Sequence, residues 1–283
     1  MAVVAPESFS LRYALAMGWF DIHTHLTDPR LAAREEELLA RAVEAGVTTI
    51  ISNGLNPHDN ASVRELARRR PMVRPAFGLY PVDAVLLEMI AMGENYPRET
   101  EPLSAEEGVA WVREHLDECV AVGEIGLDHH WVPEVLWARQ EAVFVELVTL
   151  AMAAGKPMIV HTRKAEKRAF EILTEMGAPR VIWHCFGGKV KLAQRIADAG
   201  FYLSIPANAR KSDAFKRMID RLPREQLLLE TDAPYLGPVR GELNEPANVA
   251  LTGAFMAERW DVPVSEVQAQ LEANFAAFFG FAP

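Results

Sequence analysis

Short apolar runs rich in valine, isoleucine, leucine and phenylalanine alternate along the chain with longer amphipathic stretches. Parallel strands that are buried on both faces give continuous apolar runs, whereas the helices between them carry apolar residues at helical spacing. The pattern predicts eight strands, at residues 18–22, 48–52, 73–77, 120–123, 157–160, 180–183, 201–204 and 227–229. It also predicts helices at residues 29–45, 58–70, 104–117, 133–154, 165–176, 189–199 and 212–221, with two more after Glu245.

Several predicted helices are followed by a glycine that can supply a left-handed C-cap, namely Gly46, Gly155, Gly177 and Gly200. Eight strand-then-helix units predict an α/β protein with a single-domain (β/α)8 barrel of the TIM type, and a doubly wound open sheet is the alternative. We expect residues 18–283 to form this domain. Residues 1–17 are interpreted as an N-terminal extension, with Met17 as an alternative translation start.

Composition narrows the classes of partner and compartment. With 29 basic and 39 acidic side chains the formal charge is −10, so the protein lacks the global positive field of sequence-independent nucleic-acid binders. A polyanionic substrate would therefore need a local cationic site. Two cysteines in 283 residues give no disulfide framework, which is typical of a cytoplasmic protein. No apolar run approaches the ~18 residues of a membrane-spanning helix, so no membrane partner is expected.

The first candidate chemistry lies at the end of the first predicted strand, where His23 and His25 are two residues apart. In extended backbone, residues at this spacing project from the same side, so one cation could contact both imidazoles. A lone His-x-His pair is a weak signal, because two polar residues at a strand end are about as common as a metal site. The pair therefore gains weight only from other ligands.

Four further residues of the same chemical types follow predicted strands four, five, six and eight: Glu124, His161, His184 and Asp232. In a parallel barrel the C-terminal ends of all strands open on one face, so these side chains would meet His23 and His25 in one pocket. Four histidines and two carboxylates suit two divalent cations bridged by a carboxylate. The alternative, ordinary polar residues at strand ends, requires six coincidences.

Five sequence blocks together resemble the TatD family of metal-dependent hydrolases, the TatD-related deoxyribonucleases of the amidohydrolase-like barrel superfamily. The resemblance extends from about Trp19 to Phe279 and is specific only when the blocks are taken together. The blocks are Asp21-Ile22-His23-Thr24-His25, Gly123-Glu124-Ile125-Gly126-Leu127-Asp128, His161-Thr162-Arg163, His184-Cys185-Phe186 and Glu230-Thr231-Asp232-Ala233-Pro234-Tyr235-Leu236.

The resemblance implies a (β/α)8 fold and hydrolysis of DNA phosphodiester bonds through a metal-activated hydroxide. It implies two divalent ions per chain, with Glu124 as the bridge and Asp232 as a ligand. Ligand chemistry leaves Zn, Mn or Mg as candidates for these ions, and Asp232 would also accept the proton of the attacking water. One ion would be held by His23, His25, Glu124 and Asp232, and the other by Glu124, His161 and His184.

Departures from the family pattern leave the six ligands intact and affect the substrate contacts. Tyr80 stands in the Gly78–Pro81 block where relatives often have histidine, and Leu243 precedes Asn244 where they often have arginine. Arg240 is the candidate replacement for that missing cation. Arg163 is placed to clamp a phosphate in a bidentate pair, although an ion pair with a local carboxylate is the alternative. The predicted substrate-binding residues are Arg163, Tyr80 and Arg240.

Three functions remain open at the level of sequence. The first is cleavage of DNA or a small phosphodiester. The second is an amidohydrolase activity on small-molecule amides or esters, since the same chemistry can attack a carbonyl carbon, and the negative net charge slightly favours it. The third is a metal-binding scaffold without turnover. The oligomeric state is left open.

Overall fold

Eight parallel strands follow one another in chain order around a barrel, and each is hydrogen-bonded to the next. The computed structural model describes residues 18–283, and the predicted extension at residues 1–17 lies outside them. The strands are β1 Trp19–Thr24, β2 Val47–Asn53, β3 Val73–Phe77, β4 Ala121–Asp128, β5 Met158–Arg163, β6 Val181–Trp183, β7 Tyr202–Ile205 and β8 Leu227–Leu229. The predicted (β/α)8 fold is confirmed.

Helices surround the barrel, because each strand is followed by an amphipathic segment that covers its outer face. The helices of the described residues are α1 Pro29–Ala32, α2 Glu35–Glu44, α3 Pro57–Arg69, α4 Leu86–Ala91, α5 Ala105–Glu114, α6 Trp137–Ala153, α7 Glu166–Glu175, α8 Val190–Asp198, α9 Asp213–Arg221, α10 Val249–Trp260 and α11 Val264–Phe279. No helix within residues 18–283 has the length and apolar content to cross a membrane.

The first and last strands close the barrel just beyond the end of β8. Thr24 and Ala233 form a parallel bridge, and the Asp232 N–H donates to the His23 carbonyl at 2.8 Å. The carboxylate of Asp21, fully buried, accepts hydrogen bonds from the backbone N–H and the hydroxyl of Thr231. These contacts hold the chain just after β8 against the histidines of β1.

The core is packed on both sides of the sheet, as the apolar runs predict. All residues of β1 and β4 are buried, and Phe20 contacts Phe275 of α11 with ring centroids 4.7 Å apart. Gly253 lets α10 approach β1 closely, since a Cβ at this position would lie 2.2 Å from the Trp19 ring. Tight packing of this kind holds the strand ends, and the side chains on them, in fixed positions.

The boundaries differ from the sequence prediction in ways that affect the site. Strand β4 continues to Asp128 and β5 to Arg163, so Glu124 and His161 lie within strands rather than after them. The single helix predicted at residues 29–45 is two helices, and the short helix α4 was not predicted, because six mostly apolar residues show no clear period. The predicted glycine caps are confirmed: Gly46, Gly155, Gly177 and Gly200 all have φ between 63° and 86°.

Candidate metal centre and active-site cavity

The six predicted ligands come together at the C-terminal mouth of the barrel. They reach it from different strands, as the parallel topology requires. All six are buried or nearly so, and among the described residues they form three overlapping groups whose ligand atoms lie within 4.8 Å of one another. The groups are His23, His25 and Glu124; His23, His184 and Asp232; and Glu124, His161 and His184.

Glu124 lies at the centre of the cluster and divides its two carboxylate oxygens between two pairs of histidines. Its Oε2 is 3.5 Å from Nε2 of both His23 and His25. Its Oε1 is 2.9 Å from Nδ1 of His161 and 3.5 Å from Nε2 of His184. A carboxylate with one oxygen toward each of two nitrogen pairs has the arrangement of a bridging ligand between two cation positions.

Asp232 completes the first of these positions. Its Oδ1 lies 3.5 Å from Nε2 of His25 and 3.7 Å from Nε2 of His23. The residue follows β8 in the left-handed conformation (φ 58°), which aspartate and asparagine adopt more readily than most residues. Burial favours the neutral acid, but the hydrogen bond with His25 and the neighbouring imidazoles hold the pKa of Asp232 below its ordinary value.

Two opposing effects set the protonation states of the clustered side chains. Burial disfavours their charged forms, whereas hydrogen bonds and ion pairs within the cluster favour them. Burial works to raise the pKa of Glu124, but hydrogen bonding by His161 and His23 holds it well below its ordinary value. Burial also disfavours protonation of His161, yet its hydrogen bonds with Asp128 and Glu124 raise its pKa to about 9. Glu124 is therefore ionised at neutral pH, the state in which a carboxylate binds a divalent cation.

Further residues that the sequence analysis did not single out orient the imidazoles. They accept hydrogen bonds from the ring nitrogens that face away from Glu124. His161 Nε2 donates to Asp128 Oδ2 at 3.1 Å, and His184 Nδ1 donates to Glu230 Oε2 at 3.3 Å. His25 Nδ1 donates to the Asn53 carbonyl oxygen at 3.1 Å. Partners of this kind fix the ring orientation and the nitrogen that faces a metal. Strand periodicity offered a signal for one of them, since Asp128 is four residues after Glu124 and so lies on the same side of β4.

A cavity of about 530 Å³ opens above the cluster. Its polar floor is formed by His25, Glu124, His161, His184 and Asp232. Its sides come from the connections after β1, β2, β3, β4 and β8 and from β5: Asp28, Arg30, Leu55, Tyr80, Tyr96, Pro97, Arg98, Trp131, Arg163 and Tyr235. The volume is enough for one or two sugar or base rings beside a phosphate-sized group, and it lies in the usual place for a TIM-barrel active site.

The three predicted substrate contacts have different positions. Arg163 lines the cavity, and no carboxylate of the described residues lies within ion-pair distance of it, so the alternative of a local ion pair gains no support. Tyr80 also lines the cavity, but its hydroxyl donates to Asp128 Oδ2 at 3.3 Å. Arg240 is exposed and is not part of the cavity lining. Leu243, 45% exposed, lines a separate depression.

Known proteins resemble this chain over nearly its whole length. The profile of the family described as TatD related DNase matches residues 20–280. The uncharacterized metal-dependent hydrolase YabD of Bacillus subtilis is 31% identical over 269 residues, which cover 92% of this chain and 98% of YabD. Human deoxyribonuclease TATDN3 is 27% identical over 260 residues, which cover 90% of this chain and 92% of TATDN3.

Solved structures show the same relationship. The crystal structure of YjjV, a TatD homologue from Escherichia coli K12, superposes with a TM-score of 0.80 at 27% identity and covers 93% of this chain and 98% of YjjV. The family match includes every strand after the first residue of β1 and all six clustered side chains. The resemblance seen in the sequence blocks is therefore confirmed. This chain belongs to the TatD family, and it is a metal-dependent hydrolase.

Proposed function

We propose that this hydrolase cleaves phosphodiester bonds of DNA, using two divalent cations held at the mouth of the barrel. The observation that carries the proposal is the position of Glu124, whose two oxygens face separate pairs of histidines. Paired cations suit the in-line displacement at a phosphodiester, because both the attacking and the leaving oxygen need stabilisation. Relatives named as deoxyribonucleases support the same substrate class.

The donor set fits such cations, since imidazole nitrogens and carboxylate oxygens are the usual ligands of Zn and Mn, and Mg accepts the carboxylates. One position would be held by His23, His25, Glu124 and Asp232, and the other by Glu124, His161 and His184. Asp128 and Glu230 would keep the outer nitrogens of His161 and His184 occupied, so that the inner nitrogens face the cations.

Bound divalent cations supply Lewis-acid polarisation of the phosphate and lower the pKa of the attacking water. Asp232, ionised and open to the cavity, is placed to accept the proton of that water as its oxygen bonds to phosphorus. The bond from phosphorus to the leaving oxygen breaks in the same displacement, and the leaving oxygen takes a proton from solvent. Glu124 stays deprotonated throughout, because it is fully engaged by the histidines.

Arg163 is the cation best placed to hold substrate. The other two arginines of the cavity are occupied, since Arg30 pairs with Asp28 at 2.6 Å and Arg98 pairs with Asp83. A guanidinium without a carboxylate partner can form a bidentate contact with a phosphate. We therefore infer that Arg163 clamps a phosphate next to the one that is cleaved.

Metal content gives a direct prediction. We expect up to two divalent ions per chain in protein loaded with Mn or Zn, because the six side chains offer two positions that share Glu124. Elemental analysis gives the number of ions, and anomalous scattering gives their positions. If no ion is found at the six residues after metal soaking, the proposed centre is wrong.

Substrate binding gives a second prediction. Arg163→Ala should raise KM for a single-stranded oligonucleotide by about 10-fold or more, since a charged hydrogen-bonded contact is worth about 1.5–3 kcal/mol. KM for a small phosphodiester should change less, because that substrate offers no second phosphate. Steady-state kinetics with both substrates test this difference. Arg240→Ala is the comparison, and because its side chain does not line the cavity it should alter neither KM.

An amidohydrolase activity on small amides or esters is the second candidate, and the charge next to the cavity favours it. A neighbouring depression shares His25, Asp28, Leu55, Arg98 and Tyr235 with the cavity and is also lined by Asp59, Glu99 and Glu101. Acidic groups there repel a polyanion on that side.

Cleavage of single-stranded oligonucleotides with Mg, Mn and Zn should be compared with an ester and amide panel, with Asp232→Asn as the blank. Turnover of carbonyl substrates alone would establish the second candidate, and no turnover of either class would favour a scaffold.

A further inference from the structure

One side of the cavity is built from three aromatic rings and two guanidinium groups, and we call it the aromatic wall. Its members are Tyr80, Tyr96, Arg98, Trp131 and Arg163, and all five line the cavity above the metal centre. The wall begins beside the ligands, since the Tyr80 ring lies 5.0 Å from the His161 ring. It ends at Arg163, two residues beyond His161 on β5. The aromatic surface is therefore continuous with the proposed reaction centre.

Two of the rings form a corner. Tyr96 and Trp131 have centroids 5.5 Å apart and ring planes at 75°. The Arg163 guanidinium carbon lies over the Trp131 ring, 5.8 Å from its centroid, so a cation without a carboxylate partner among the described residues adjoins the corner. A flat heteroaromatic ring can stack on one plane of such a corner while its edge meets the other. A phosphate attached to that ring through a sugar would lie within reach of Arg163.

The corner is anchored rather than loose, although Tyr96 lies in the connection between α4 and α5. Arg98 of the same connection pairs with the buried carboxylate of Asp83, which is 3% exposed. Thr100 accepts a hydrogen bond from Asn56 Nδ2 at 3.0 Å. These two tethers hold the connection against the loops after β2 and β3, so Tyr96 is preorganised for a partner.

Trp131 is fixed from the other side of the corner. Its backbone N–H donates to Asp128 Oδ1 at 3.1 Å, and the other oxygen of Asp128 accepts from His161. The corner and the imidazole that faces Glu124 are therefore attached to one carboxylate. Preorganised stacking surfaces bind single-stranded nucleic acid with little dependence on base identity.

The opposite side of the cavity lacks this combination. Tyr235 is present there, but the nearest cation, Arg30, donates two side-chain hydrogen bonds to Asp28 and covers the Tyr235 ring at 4.7 Å. The neighbouring acidic depression borders both Tyr235 and Arg98. A nucleotide with both a base and a phosphate is thus matched by the aromatic wall alone among the described surfaces of the cavity.

We propose that the corner of Tyr96 and Trp131 is a stacking subsite for the base of a nucleotide that adjoins the scissile phosphate, with Arg163 holding the next phosphate. The proposal rests on the proposed function and adds a site for the base, which the metal centre does not contact. It gives a source of affinity for single-stranded DNA in a protein of net charge −10, because stacking does not depend on a global positive field.

The test uses the metal-loaded protein and three dinucleotide probes: thymidylyl-thymidine and its two analogues in which one or the other base is replaced by hydrogen. One analogue should show KM raised by about 5- to 100-fold, and the other should behave like the parent. Trp131→Ala should remove this difference by raising KM for the parent and for the probe that behaves like it, while KM for the affected probe stays nearly unchanged. Trp131→Phe, which keeps a stacking ring and guards against misfolding, should restore part of it. Tyr235→Ala, on the opposite side, should leave the ratio of the KM values unchanged.

Binding of the dinucleotide to an inactive variant tests the stacking subsite independently of turnover. In an Asp232→Asn background, thymidylyl-thymidine should quench tryptophan fluorescence, and Trp131→Phe should remove most of that quenching. Equal KM for all three probes, or unchanged quenching in Trp131→Phe, would overturn the stacking subsite while leaving phosphodiester cleavage established. Absence of metal-dependent cleavage of any probe would overturn the proposed function and the subsite with it.

Discussion

Glu124→Gln is expected to lower kcat at least about 10³-fold, since Lewis-acid catalysis is worth several kcal/mol and about 1.4 kcal/mol is one power of ten. The amide has the size of the carboxylate but neither its charge nor a second anionic oxygen. Both proposed cation positions share this residue, so one substitution should weaken binding at both. Isothermal titration with Mn²⁺ and steady-state kinetics measure the two effects on the same preparation.

Glu225→Gln is the matched control for this change. Glu225 is exposed and precedes β8, at the opposite end of the barrel, and the substitution is the same carboxylate-to-amide exchange. It should leave metal affinity and kcat as they are. If Glu124→Gln keeps both ions with unchanged affinity, Glu124 is no bridge, and the two-cation arrangement is wrong.

Asp232→Asn is expected to lower kcat by about 10²- to 10⁴-fold, the usual contribution of a positioned general base. Asparagine keeps one oxygen toward the cation but cannot accept a proton from water. The second proposed position, held by Glu124, His161 and His184, should keep its ion. KM should change much less than kcat, because the lost interaction is made mainly in the transition state.

Asp261→Asn is the matched control for Asp232→Asn, because it makes the same side-chain change at a residue with the same backbone conformation. Asp261 has φ 53° and Asp232 has φ 58°, so both substitutions place asparagine in the same left-handed conformation. Asp261 ends α10 on the surface and should tolerate the change without loss of activity. Near-normal turnover of Asp232→Asn at saturating Mn²⁺ would exclude Asp232 as the base, whatever its contribution to metal binding.

The alternation of apolar runs and amphipathic stretches was enough to predict the barrel and the mouth at which the six predicted ligands meet. Strand ends were less accurate, and Glu124 shows why. Its strand continues for four more residues because pairing with β5 extends to Asp128 and Arg163. Such pairing depends on the neighbouring strand, which local sequence does not contain.

The acidic residues next to the predicted ligands in the chain show a second limit of prediction from sequence. Glu230 is two residues before Asp232 in the chain, yet its carboxylate turns to His184 and to the backbone N–H of Cys185. Asp21 precedes the two histidines but lies in the closure of the barrel, where burial raises its pKa to about 8. The roles of charged residues next to a motif could therefore not be predicted from the sequence, because those roles depend on residues distant in the chain.

The sequence by itself determined the (β/α)8 fold, the family and the six side chains at the barrel mouth, since these depend on hydrophobic period, strand order and residue type. The tertiary structure alone decided which oxygen of Glu124 faces which histidines, that Arg163 rather than Arg240 lines the cavity, and that Tyr96 and Trp131 form a corner. Those features are distances of a few ångströms between side chains from different strands and loops. Barrel closure and core packing set such distances, and neither can be read from any local stretch of the chain.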